Sequence, residues 1–137
     1  MTTAESPEQV IITKYIAEHG AGAIHIVDSM YMLKNTSGSG KAVANGDNVE
    51  VRYKGMFLDG SVFDQSANHG GKGTFSFEYS PDVALIQGWV KVIGNMCEGE
   101  KLTVLIPSWL AYGKRGAGGL IGPDTPLIFD IEVVKVG

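Results

Sequence analysis

Apolar and polar positions change period along the chain, and the changes divide it. Val10, Ile11, Ile12, Tyr15 and Ile16 recur at helical spacing after Ser6-Pro7-Glu8-Gln9. Ser6 suits an N-cap, Pro7 the first helical position, and Gln9 completes a capping box. With Gly20 as a stop, this predicts a helix over about 7–19. Its apolar stripe must lie on the domain that follows or on a second copy of the chain. A short strand candidate, Met30–Lys34, then leads into a turn-rich stretch over 35–47. Composition shifts there, so 1–45 reads as an N-terminal extension and 46–137 as the compact unit.

From Asn48 the period becomes two. Val49, Val51 and Tyr53 alternate with Glu50, Arg52 and Lys54, giving one buried and one wet face. Phe57-Leu58-Asp59-Gly60 turns the chain, and Phe75-Ser76-Phe77-Glu78 alternates again. Ser80-Pro81-Asp82 has the form of a second helix start, followed by Val83, Ile86, Val90 and Ile93 at spacings of three, four and three. Gly88 is expected to interrupt that helix and Gly94 to end it. Lys101–Ile106 and Leu127–Val136 complete the strands. Strands joined by tight turns with one short helix across them predict an α+β fold on an antiparallel sheet.

Composition narrows the function classes. At 137 residues the chain can build one core but not two ordinary domains, and 44% hydrophobic with 19% charged residues excludes a wholly disordered chain. Eleven Lys and Arg against 15 Asp and Glu give −4, which argues against a nucleic-acid partner. No apolar run approaches the ~20 residues of a membrane span. Cys97 stands alone, so neither an internal disulfide nor a cysteine zinc site can form. Met1 to Ser6 carry no basic or apolar leader, so a cytoplasmic location is expected, an exported one remaining open for a protein whose leader has been removed.

Most reactive constellations are missing. Gly40-Lys41 is followed by Ala42, which breaks a Walker A pattern, and Gly116-Ala117-Gly118-Gly119 lacks dinucleotide-loop spacing. There is no Gly-x-Ser-x-Gly elbow, and His19, His25 and His69 show no ligand spacing. No metal or cofactor is expected. What remains is a set of aromatics: Tyr53, Phe63, Phe75, Phe77, Trp89, Trp109, Tyr112 and Phe129. Such residues usually build cores. Here, however, Trp89 follows Gly88, Tyr112 precedes Gly113 and Phe63 adjoins Asp64. Glycine and carboxylate neighbours suit an apolar pocket with a polar rim.

Seven blocks then occur in order: Val51-Arg52-Tyr53-Lys54-Gly55, Asp59-Gly60-Ser61-Val62-Phe63-Asp64-Gln65-Ser66, Leu85-Ile86-Gln87-Gly88-Trp89, Gly99-Glu100-Lys101, Ile106-Pro107, Leu110-Ala111-Tyr112-Gly113 and Pro126-Leu127-Ile128-Phe129-Asp130. Together they resemble the FKBP-type peptidyl-prolyl cis-trans isomerases, the immunophilins that bind macrolide inhibitors, over about residues 46–137. The resemblance implies a curved five- to six-stranded antiparallel sheet wrapped around a short helix, with the N-terminal helical extension added. It implies rotation about X–Pro bonds in an aromatic pocket, assistance to protein folding, and proline-containing segments of client proteins as partners. The alternative is a non-catalytic proline-peptide-binding or chaperone-like module of the same fold. By position, the catalytic set would be Tyr53, Phe63, Asp64, Trp89, Tyr112 and Phe129, with Trp89 as floor and Asp64 and the Tyr112 hydroxyl on the rim. Phe75, Leu85, Ile86 and Ile121 would bind substrate or inhibitor, the Ile86 N–H donating to a ligand carbonyl. Ile121-Gly122-Pro123 departs from the common Ile-Pro-Pro, and Ala117 and Gly118 stand where a larger residue or a proline is frequent. Four glycines over 114–122 therefore predict a looser loop with altered sequence preference. Some bacterial members carry similar N-terminal extensions. A monomer is expected, with a dimer through the N-terminal helix as the alternative.

Overall fold

The computed structural model describes residues 7–19, 24–25, 30–69, 73–117 and 121–137. Two long strands form its spine. β3 (Asn48–Met56) and β7 (Leu127–Val136) run antiparallel from Val49 opposite Val136 to Met56 opposite Ile128, with a register shift after Glu50. β6 (Lys101–Ile106) pairs along the other side of β7, and β2 (Tyr31–Thr36) and the two-residue β1 (Ile24–His25) extend the sheet beyond it. Beyond β3 the edge is split. β5 (Phe75–Glu78) covers Asn48 to Val51, and β4 (Val62–Gln65) covers Lys54 to Met56. Between them the backbone of Tyr53 meets a side chain instead of a strand. Its N–H donates to Ser66 Oγ at 3.1 Å, and the same hydroxyl donates to the Tyr53 carbonyl at 3.4 Å.

Alternation sorts the side chains onto two faces. Val49, Val51, Val104, Ile106, Leu127, Phe129, Ile131 and Val133 meet on the inner face in the main core, joined there by Trp89, Val92 and Ile93 of α2 (Gln87–Ile93). Seven residues make a marginal helix in isolation. α2 is stabilised by packing, and Tyr79 Oη donates to the Val90 carbonyl at 2.8 Å, satisfying one acceptor of its last turn. On the outer face Leu105 and Ile128 receive Ile12 of α1 (Pro7–His19), with Tyr15, Ile16, Tyr31, Leu33, Met56 and Leu58 around them. Ile12, Tyr15 and Ile16 of the stripe read from the sequence thus lie on this chain's own sheet, while Val10 and Ile11 stay about half exposed.

Three expectations need correction. Ser80-Pro81-Asp82 is a turn rather than a helix start: Val83 N–H donates to the Ser80 carbonyl, and Ile86 is still extended at φ −60°, ψ 146°. The apolar spacing over 83–86 reflects Leu85 and Ile86 packing on the core from non-helical backbone. Gly88 lies inside α2 and does not interrupt it, because a Cβ there would sit 2.6 Å from Ile106 Cγ2. The missing side chain permits close approach of helix to strand, which outweighs its low helix propensity. Finally, the sheet takes in β2, and Val43 joins the main core, so both lie within the stretch read as extension. Ser6 and Gly20, offered as helix signals, lie outside the described residues.

Candidate functional site

A cavity of about 500 Å³ opens beside α2, lined by Tyr53, Phe63, Asp64, Phe75, Ala84, Leu85, Ile86, Gln87, Trp89, Ala111, Tyr112 and Phe129. Six segments deliver these residues. β3 places Tyr53 two residues beyond Val51, on the face its alternation buries, and β7 supplies Phe129. β4 brings Phe63 and Asp64, β5 brings Phe75, and the turn into α2 brings Leu85 and Ile86 ahead of Trp89. Ala111 and Tyr112 come from the segment behind the 3-10 turn Ser108–Leu110.

Trp89 forms the floor, with 6% of its surface exposed. Tyr53 meets it edge-on with centroids 5.1 Å apart at 72°, and Phe129 at 5.5 Å and 85°. Phe63 continues the ring against Phe129 at 5.7 Å and 86°, and Phe75 stands 6.4 Å from both Tyr53 and Trp89. Edge-to-face contacts of this kind fix the ring orientations. Gly55 makes the arrangement possible, since a Cβ there would lie 2.5 Å from Phe63 Cζ and 2.9 Å from Phe129 Cε1. An isolated glycine in an alternating strand is the signal that marks it. Ala84, Gln87 and Ala111 have no such mark.

The polar groups gather at one side. Tyr53 Oη donates to Asp64 Oδ2 at 2.9 Å. Burial, then the hydrogen bond and charge of Asp64, push the Tyr53 phenol up to about 12. Burial also raises the Tyr112 phenol, with the Asp64 charge adding to it. Both hydroxyls are therefore neutral donors at physiological pH. Among the described residues the Ile86 N–H has no acceptor, and neither does the buried indole N–H of Trp89.

Nine of the ten residues singled out in the sequence surround this cavity, and Ile121 does not. It is buried in the core, exchanging backbone hydrogen bonds with Ala117 at 2.8 and 3.1 Å. Trp109 is exposed, and Phe77 stacks on Phe75 from outside the lining. Gly118 and Gly119 of the glycine-rich loop lie outside the described residues, as do the side chains of His19, His25 and His69. Among the described residues no three His, Cys, Asp or Glu side chains group as metal ligands, and no helix is long and apolar enough to cross a membrane. A second cleft of about 560 Å³ crosses the outer face beside Lys34, Arg52, Lys54, Asp130 and Glu132. Arg52 pairs with Glu132 at 3.5 Å, Asp130 accepts from Thr103 Oγ1 at 2.6 Å, and Tyr53 is the single aromatic residue of its lining. Concave apolar walls with few convergent polar groups define a small-ligand site, and the inner cavity alone of the two has them.

Comparison with known proteins converges on the same place. The family model described as FKBP-type peptidyl-prolyl cis-trans isomerase matches residues 39–134. A probable FKBP-type 25 kDa peptidyl-prolyl cis-trans isomerase of Pseudomonas aeruginosa is 40% identical over 135 residues, covering 96% of this chain and 56% of its own. A probable FKBP-type peptidyl-prolyl cis-trans isomerase, FkpA, of Neisseria meningitidis is 43% identical over 100 residues, 73% of this chain and 35% of its own. The chain spans between about a third and two-thirds of the curated relatives it matches, from 35% to 66%. The crystal structure of a peptidyl-prolyl cis-trans isomerase from Pseudomonas syringae pv. tomato superposes with a TM-score of 0.77 at 34% identity, covering 98% of this chain and 99% of that one. A family match that takes in every residue lining the aromatic cavity leaves one assignment: the chain belongs to the FKBP-type peptidyl-prolyl cis-trans isomerase family.

Proposed function

We propose that the aromatic cavity catalyses cis–trans isomerisation of X–Pro peptide bonds in proline-containing segments of client proteins. The observation that carries this reading is the ring of edge-to-face aromatics over Trp89 with neutral hydroxyl donors at its margin. The amide barrier of about 18–20 kcal/mol arises because rotation breaks resonance. No bond is cleaved, so no acid, base or nucleophile is needed. The planar amide is the more charge-separated form and the better hydrated one. Walls without water therefore raise the planar form relative to the twisted one, and each 1.36 kcal/mol of that difference gives tenfold in rate. The proline ring lies over Trp89. The Tyr112 hydroxyl and the Ile86 N–H hold the flanking carbonyls, and Asp64 keeps the Tyr53 hydroxyl in place through its hydrogen bond.

Macrolide inhibitors are expected in the same cavity, in competition with peptide. α1 packed on its own sheet supports a monomeric working form. The deciding experiment is isomerisation of a short panel of X–Pro peptides by the wild-type chain and by Trp89→Ala. A Trp89→Ala protein that keeps the wild-type rate removes this assignment.

A further inference from the structure

We propose that Glu8 is a positioning residue for this cavity: its buried carboxylate, reaching across from α1, fixes the start of the segment that carries Ala111 and Tyr112. A helix on the outer face thereby holds one rim of a cavity on the inner face. The proposal rests on the isomerase reading for its kinetic arm only.

Glu8 is 6% exposed, an uncommon place for a carboxylate that forms no ion pair among the described residues. Both of its oxygens are engaged by one residue. Oε2 accepts the Ser108 backbone N–H, and Oε1 accepts the Ser108 hydroxyl. An acceptor-only group with two oxygens matches two donors from a single serine. Ser108 is itself buried and opens the 3-10 turn behind Pro107, whose side chain provides no cap. Its N–H is one of the orphan donors of a helix start, and burial would leave it unpaired without Glu8. Ile12, one turn further along the same face of α1, rests on Leu105, three residues before Ser108.

From Ser108 onward little slack remains. Leu110 N–H donates to the Pro107 carbonyl at 3.0 Å, Ala111 N–H to the Ser108 carbonyl at 2.9 Å, and Gly116 N–H to the Tyr112 carbonyl at 3.2 Å. A displaced Ser108 therefore carries Ala111 and Tyr112 with it. Among the described residues the Tyr112 hydroxyl meets the charge of Asp64 but no hydrogen-bond partner, so its place depends on the backbone beneath it.

The test uses the full chain as wild type, Glu8→Ala, Tyr112→Phe and the double variant, at a temperature where circular dichroism shows each folded. Isomerisation of an X–Pro peptide is measured, and the Tyr112 ring resonances are followed by NMR on tyrosine-labelled protein. Glu8→Ala is expected to lower kcat/KM about fivefold, the scale of one lost hydrogen bond, and to move the Tyr112 resonances. The double variant should fall no further than the worse single variant, because both act through one hydroxyl. A merely structural Glu8 would lower the melting temperature and leave kcat/KM and that non-additivity untouched. Unmoved Tyr112 resonances in Glu8→Ala, or losses that multiply in the double variant, overturn the proposal. If Glu8→Ala does not fold, Glu8→Gln takes its place; it keeps the volume and one acceptor, and wild-type rates with unmoved resonances overturn the proposal equally. A wild-type chain without isomerase activity would sink the functional reading, while moved Tyr112 resonances would still support the hold of Glu8 on Tyr112.

Discussion

The two helices sit on opposite faces of one sheet and are held by different physics. α2 is seven residues long and buries four of them, Gly88, Trp89, Val92 and Ile93, in continuous apolar contact with the inner face. α1 is thirteen residues long yet reaches full burial at Ile12 and near it at Glu8, while Val10 and Ile11 remain about half exposed. The first contact is an area; the second narrows to two anchoring points, Ile12 and Glu8, with Tyr15 and Ile16 packed beside Ile12. An area stabilises in proportion to what it removes from water and shapes whatever space its rings leave unfilled. Point attachments contribute less stability and transmit position, which is how an outer helix can bear on an inner cavity.

The sharpest break of this contrast is Trp89→Ala. Loss of a buried aromatic costs about 3–5 kcal/mol, and here it also removes the cavity floor. Both the denaturant midpoint and kcat/KM should fall, the latter more than for any other single change. Ile12→Ala comes next, at about 2 kcal/mol, the low end for such a truncation because α1 can separate from the sheet. Hydrogen exchange should then quicken in α1 and stay slow in β3, β6 and β7. Equal quickening in both would show that the two faces unfold as one unit and that the distinction between area and points is wrong. Gly88→Ala is expected to cost about 1–3 kcal/mol, since its Cβ must displace Ile106, and to lower activity through the shifted Trp89. A neutral result would mean that α2 rests more loosely than its contacts indicate.

The smallest effect concerns pH. Tyr53 titrates near 12 in the folded chain against an ordinary value of 10.0. The folded state holds the proton longer, so this contribution to stability is complete below about pH 10 and is lost as pH rises towards 12. Chemical denaturation between pH 9 and 12 should show the decline, and Tyr53→Phe should flatten it. Activity that titrates with a phenol between pH 6 and 9 would contradict the neutral donors assigned to the rim.

What was legible in the sequence follows the same division. β6 and β7 are found at their observed bounds because six and ten residues rich in Leu, Ile and Val, buried on both faces over 104–106 and 127–129, stand out from the turns around them. β4 has four residues and no room for a pattern, and its residues are recognised only through the family blocks. β2 is read only in part, as Met30–Lys34, because its last three residues are exposed and run into a polar stretch, although their backbone is paired with β6. In the cavity the large aromatics announce themselves, and Gly55 beneath them is marked as a lone glycine in an alternating strand, whereas Ala84 and Ala111 contribute only small size, which carries no periodic signal. Ile121 is the one residue of the expected set outside the lining, and it stands beside Gly122 in the glycine-rich loop. Glu8 reads as an ordinary first-turn acid, and only its partner a hundred residues downstream reveals more.

The interrupted border of the sheet has a consequence for aggregation. Strangers meet there two stubs of four residues each, parted where Ser66 occupies the amide and carbonyl of Tyr53. A long row of vacant amides is what recruits an extra strand and seeds aggregation. By keeping this rim in short pieces, the molecule offers little template on which an extended chain could polymerise.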